Sequence, residues 1–347
     1  MYKVFIALFS LLAITACSDT IVDNREYNAP YYPDKYKVEI NRLNDQILSS
    51  RVLNMYLCDS DIVLNMKNAD NNNVFHAFSM QDGTYKGSFA HYGRGYGELN
   101  SYNFAAYDDE NGILYAIDNG SRYLTMDFRA SIKDKIARIK DYDLIKGRNK
   151  TRSLHWLNGR LLHCENFDTR LFTTDLQFAD TVKLYHQYPY VSSDFEADSM
   201  LRRSYFGTHT HQTVKPDGQK IASVTRFGML MEIFDIESDR AYLTKLRRFY
   251  LPMMENHISA SDDCIWGASG ICSTNKYIYI LYYDVPIDEI DTSKRVLGVF
   301  DWAGDEVCKY EFDENITNFI VTPDDKRVYC WARDKDAEEY FGYFDLK

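Results

Sequence analysis

Two histidines at i and i+2 on one strand face the same way, and that geometry can hold a divalent metal. His209 and His211 have this spacing, and His155 lies in the same register nearby. The matching chemistry would be a metal-dependent hydrolase or lactonase-like enzyme, which needs converging ligands and an open coordination position. No Asp or Glu stands out as the third ligand, so a structural polar lining is the preferred reading. The histidines also belong to a wider pattern. With the innermost strands of the repeats below aligned on their turns, one column reads Asn54, Asn103, Ser153, His211, Ser269 and Asn318. Every member is uncharged and polar or a histidine, in otherwise apolar strands. Such a ring would suit water, an ion or a small ligand in a central channel.

Other motifs are absent or incomplete. The loop His91–Leu99 reads HYGRGYGEL, and glycines 93, 95 and 97 do not form the GxGxxG dinucleotide fingerprint. It reads as a connection between repeats that needs positive φ, with Arg94 and Glu98 able to reach a rim. No nucleophile elbow, HExxH, P-loop, EF-hand or sialidase box is present. No catalytic residue is assigned, and the cofactor is unknown. Of seven cysteines, Cys17 falls in a targeting segment. Cys264 and Cys272 could close a short disulfide loop in an oxidising compartment. There is no CxxC pair, and Cys164, Cys272 and Cys330 fall inside strands, where a thiol behaves as a small apolar residue. Buried thiols are therefore the preferred reading for most of the six that remain, Cys58 and Cys308 included.

The elements that position these residues repeat along the chain. Lys294–Glu311 is the clearest copy: an apolar run ends at Asp301, a turn follows at Ala303–Asp305, and a second strand begins at Val307. Equivalent hairpins end their first strand at Ser79, Asp127, Asp175, Asp235 and Asp345, at intervals of 44 to 66 residues. A further strand pair precedes each one, around Asn-Gly, Asp-Gly or Pro-Asp turns that supply positive or preset φ. Four strands per unit at this period predict a β-propeller. The fold expected is all-β: six blades of four antiparallel strands. The last copy stops after its third strand, and the lone run Tyr36–Arg42 is expected to supply the fourth and close the ring, because open edges invite aggregation. The two longest intervals place insertions around Tyr188–Tyr205 and Leu251–Ser269, which would emerge as rim loops. Asp134–Asp143 is the nearest approach to a helical period, and it could equally be an outer strand.

The chain ends are marked differently. In residues 1–17, Lys3 precedes an apolar run, Val4–Ile14, too short to span a bilayer as a helix. It closes on Ile14–Thr15–Ala16–Cys17, which resembles the bacterial lipobox, with Cys17 the acylated residue. Acyl chains add about 0.8 kcal/mol per buried methylene, so two or three hold a protein to a membrane. Residues 18–35 read as a tether, and 36–347 as the propeller. The formal charge of −11 disfavours phosphate backbones, so nucleic acid is not an expected partner.

The lipobox, the Gly93–Glu98 loop and units ending in FDIES, FDWAGD and FDLK together resemble the six-bladed, TolB-like propeller lipoproteins of Bacteroidetes. The resemblance covers Tyr36–Lys347. In that family the loop has Pro where this chain has Tyr96. The resemblance implies an architecture and a lipid site at Cys17, and no other functional residue. The expectation is a membrane-anchored lipoprotein of the outer membrane or cell surface, on its periplasmic or extracellular face. It would act as a binding module for a protein, peptide or glycan. The metal-dependent hydrolase is the alternative, and the oligomeric state is not indicated.

Overall fold

A computed structural model of the chain describes residues 25–44, 51–67, 72–99, 103–118, 122–144, 151–157, 159–165, 170–174, 181–185, 188–237 and 240–347. The lipobox and Cys17 lie outside these residues. The strands form six sheets. From the axis outward, blade one is Arg51–Cys58, Asp61–Lys67, Asn73–Ser79 and Tyr85–His91; blade two is Asn103–Asp108, Ile113–Asp118, Arg122–Asp127 and Ile139–Leu144. Blade three is Thr151–Leu157, Arg160–Glu165, Leu171–Thr174 and Thr181–Tyr185; blade four is Thr210–Val214, Lys220–Thr225, Leu230–Glu237 and Arg240–Arg248. Blade five is Ile265–Ser273, Tyr277–Pro286, Val296–Asp301 and Glu306–Phe312; blade six is Asn315–Val321, Arg327–Arg333 and Glu339–Asp345, completed by Asn41–Asn44.

Neighbouring blades pack face to face, and each interface has its own apolar cluster. Val52, Leu64 and Phe78 of blade one meet Tyr329, Trp331 and Phe341 of blade six across the closure. Polar bonds cross the same seam: Asn318 Nδ2 donates to Val52 O at 2.9 Å, and Tyr329 OH donates to Met80 O at 2.6 Å. The inner strands meet in ring order around the axis, with six in contact with one.

The closing strand differs from the Tyr36–Arg42 run expected. Asn41–Asn44 pairs antiparallel with Glu339–Asp345 and completes blade six. Residues 34–38 form a separate strand, parallel to Glu306–Phe312, as a fifth strand of blade five. Alternation explains the split. Tyr36 and Val38 turn inward onto the cluster between blades five and six, where the Tyr36 ring lies 5.4 Å from that of Tyr310. The described part of the tether also docks: Tyr32 is 3% exposed and its hydroxyl meets that of Tyr282 at 3.2 Å. It occupies the space above Gly298, where a Cβ would stand 2.2 Å from the Tyr32 hydroxyl oxygen.

Among the described residues three short α-helices interrupt the strands. α1, Phe128–Asp134, lies between the third and outer strands of blade two; Asp127 caps it by accepting from Ala130 N at 2.9 Å. The ambiguous segment Asp134–Asp143 is thereby resolved: its second half belongs to the outer strand, Ile139–Leu144. α2, Ser193–Ala197, and α3, Ser199–Thr208, build the insertion before blade four.

Candidate functional site

The inner strands of all six blades line a cavity of about 450 Å³ on the axis, within the range of about 300–1,000 Å³ that holds small ligands. Asn54, Ser153, His211, Ser269 and Asn318 are among its lining residues. The side chain of Asn103 lies outside the described residues. Much of this polar column is engaged between strands. Ser269 Oγ donates to Leu281 O at 3.0 Å, and Ser153 Oγ donates to Gln212 Oε1 of the next blade at 3.3 Å. His155 also lines the cavity, with Nε2 3.2 Å from Ser153 Oγ.

The two histidines of the metal hypothesis part company. His209 is not on a strand. It caps α3, and its backbone carbonyl accepts from Arg226 N. Its ring packs on Phe227, with centroids 4.9 Å apart. His211 lies on the strand and lines the cavity. The shared parity expected from the i, i+2 spacing fails because the helix ends at His209 and the extended backbone begins at Thr210. Among the described residues no group of three or more His, Cys, Asp or Glu stands close enough to hold a metal.

Burial dominates the electrostatics here. It pushes His211 down to about 3, with the Arg226 charge and then His209 adding to the effect. It lowers His155 to about 4, and the neighbouring His163 to about 3. These imidazoles are neutral at physiological pH. The same cause raises the Cys272 thiol to about 11, and that cysteine sits at the cavity wall. Cys58, Cys264, Cys272, Cys308 and Cys330 are all free thiols. A Cys264–Cys272 bridge is precluded by the extended strand between them, which holds their Cα atoms roughly 25 Å apart at about 3.3 Å per residue.

The Gly-rich loop is a structural clasp. Glu98 turns inward, accepting from Gly95 N at 2.7 Å, and a Cβ on Gly93 would stand 2.0 Å from Glu98 Oε2. Of its three glycines only Gly97 takes positive φ. The carbonyls of Gly93 and Arg94 accept from Arg122, at the start of the third strand of blade two.

What the sequence reading missed is the mouth of the channel, where the inner strands begin. Arg51 starts the inner strand of blade one. Arg226 is wedged between the starts of blades four and five, bonded through its backbone to His209 and Gly267. Arg295 donates to Asn315 Oδ1 at 3.0 Å and Ile316 O at 2.8 Å, where blade six begins. No spacing links these residues, so no motif could have found them.

Residues 37–324 match a family described as TolB-like 6-blade propeller-like. Among solved structures, a putative exported protein from Bacteroides fragilis is similar at 15% identity and a TM-score of 0.53, over 90% of this chain and 99% of that one. U3-55K is similar at 10% identity and a TM-score of 0.52, over 88% and 98% of the two chains. The WD40 repeats of RRP9 are similar at 10% identity and a TM-score of 0.52, over 93% and 100%. At these identities the likeness is one of fold alone. No curated protein matches the chain.

Proposed function

The chain belongs to the TolB-like 6-blade propeller-like family, and on that premise we propose that it is a binding module of the cell envelope. In this proposal a lipid on Cys17 holds the propeller outside the cytoplasm at the outer membrane or cell surface. One rim then meets a protein, peptide or glycan. The lobe built by the two insertions carries the proposal. α2 and α3 pack with Met254, Ala260 and Cys264 of the second insertion around one apolar cluster. Ser204 Oγ donates to His257 O, and His257 Nε2 lies 2.9 Å from Asp198 Oδ2. The lobe turns large apolar side chains to solvent: Met200 at 60% exposure and Ile258 at 74%, with Leu251 and Met253 also exposed. Large apolar side chains turned to solvent on a lobe built from long connections support an interaction surface there.

The test is cross-linking in intact cells followed by mass spectrometry, with glycan-array binding of the purified propeller alongside. The expected result is a partner held by the wild type and lost from a Met200→Asp, Ile258→Asp double variant. Cys17→Ser is expected to leave the membrane fraction. A double variant that keeps every partner overturns the rim proposal. A Cys17→Ser protein still in the membrane fraction overturns the anchor.

A further inference from the structure

Arg51, Arg226 and Arg295 stand where the inner strands of blades one, four and six begin, with Arg51 within electrostatic reach of the other two, in a chain with 51 acidic and 40 basic residues. These three arginines form no ion pair among the described residues, whereas Arg170, Arg247 and Arg333 each do. The Nε atoms of Arg226 and Arg295 are buried without a hydrogen-bond partner. Glu314, beside the strand that Arg295 contacts, lies instead in the field of Arg42 and Lys294.

The two inner arginines are held in place by aromatic rings. Arg226 Cζ lies 5.8 Å from the centroid of Trp266, and Arg295 Cζ lies 4.5 Å from that of Tyr283. Trp266 and Tyr283 meet edge to face at 6.3 Å. A continuous row, Arg226–Trp266–Tyr283–Arg295, therefore crosses the mouth on blades four and five. Arg51 faces it from blade one. Burial holds both inner arginines below the usual guanidinium range; the Arg51 charge adds to this on Arg226, and on Arg295 Tyr283 opposes it while the charges of Arg333 and then Arg51 add to it. Arg295 already donates from Nη1 to Asn315 and Ile316, whereas the stacked Arg226 guanidinium makes no side-chain hydrogen bond among the described residues, so its N–H fork is open, the form in which Arg binds carboxylate and phosphate.

Partly buried like charges with no counterion destabilise a fold, because neither desolvation nor repulsion is offset. An anion at the mouth would offset both. We propose that Arg51, Arg226 and Arg295 form an anion-binding site for a small organic acid or phosphate ester. The anionic group lies among the guanidinium groups. The remainder of the ligand enters the cavity, against His211, Ser269 and Asn318. Neutral His211 can donate or accept there, and its Nε2 has no partner among the described residues. This site uses neither Met200 nor Ile258, the exposed side chains that carry the binding-module proposal, although Trp266 packs in the apolar cluster of the same lobe.

The experiment is calorimetric titration of the purified propeller with inorganic phosphate and, separately, with succinate. Ionic strength is held constant with sodium chloride, and melting curves run in parallel. The expected result is saturable binding of at least one anion, with a raised melting temperature, since a ligand of the folded state stabilises it. Binding by phosphate alone assigns a phosphate ester, and binding by succinate alone assigns an organic acid. Arg226→Gln should weaken binding at least ten-fold. Arg51→Gln, an exposed change that leaves the fold intact, should weaken it several-fold. The Met200→Asp, Ile258→Asp variant should bind anions as the wild type does, which separates failure of this site from failure of the rim. No heat or melting shift beyond that of sodium chloride overturns the proposal, as does undiminished binding in both arginine variants.

Discussion

His155, His163 and His211 show how burial alone assigns a residue its role. Each is held at about 3 to 4 in the fold, against about 6.5 in an unfolded chain. The folded protein therefore stays unprotonated where the unfolded chain takes up protons. Above pH 7 these groups are neutral in both states and have no effect on stability. As pH falls below about 6.5, stability is lost, at up to about 1.4 kcal/mol per pH unit for each histidine, until the folded values are reached. Carboxylates held below their usual range, such as Asp59 beside Arg129, lose their contribution only at lower pH. Urea unfolding between about pH 6.5 and pH 5 should accordingly show a steep decline. His163→Gln should reduce that slope by about 1.4 kcal/mol per unit, and His155→Gln should do the same. Equal slopes in the wild type and both variants would remove burial as the controlling effect. At this scale the sequence is only partly legible. Alternation and turn register put His211 on an inner strand, but register says nothing of depth. His209 could not be read correctly, because its place depends on where α3 stops.

At the scale of elements, turn chemistry is the readable part. Hairpin turns are local, so their Asp, Asn and Gly residues reveal the blades without any tertiary information. The helices within the insertion leave a weaker trace. α2 has five residues and α3 ten, too few for a convincing period, and their burial comes from the second insertion. The insertion packs on a long-range ion pair that joins blade three to blade four. Arg170 Nη1 donates to Glu232 Oε1 at 3.0 Å, and Nη2 donates to Oε2, with both side chains almost fully buried. Arg170 also lies 5.1 Å from the Tyr188 ring and 4.8 Å from that of Phe206. The partners are 62 residues apart, so no sequence pattern joins them. Glu232→Gln removes one counter-charge from a buried guanidinium, and breaking a buried pair costs about 3–5 kcal/mol. The expected result is a loss of that size in urea unfolding, with earlier proteolysis within residues 188–208. A loss below about 1 kcal/mol would show that the pair does not hold the insertion.

For the whole molecule, the question is which N-terminal strand closes the ring. Propeller closure was legible from a missing fourth strand, yet the segment that supplies it is shifted. Composition could not distinguish two short strands from one, because Glu39 and Ile40 break no propensity rule and simply carry the chain from blade five to blade six. The two strands are expected to contribute differently. Asp34–Val38 adds to a blade that already has four strands. Asn41–Asn44 covers the edge of Glu339–Asp345, packs Leu43 on the cluster between blades six and one, and donates from Asn44 Nδ2 to Gly83 O at 2.8 Å. It therefore ties the last blade to the first. A chain beginning at Ile40 loses Tyr32, Tyr36 and Val38, and should melt lower while keeping the association state of the full propeller. A chain beginning at residue 45 also loses the closing strand. It should melt lower still and self-associate through the exposed edge, since an uncovered strand offers its backbone groups to other chains. Differential scanning calorimetry with analytical ultracentrifugation reads both effects. If the two truncations melt together and both sediment as the full propeller does, Asn41–Asn44 is not what closes the propeller.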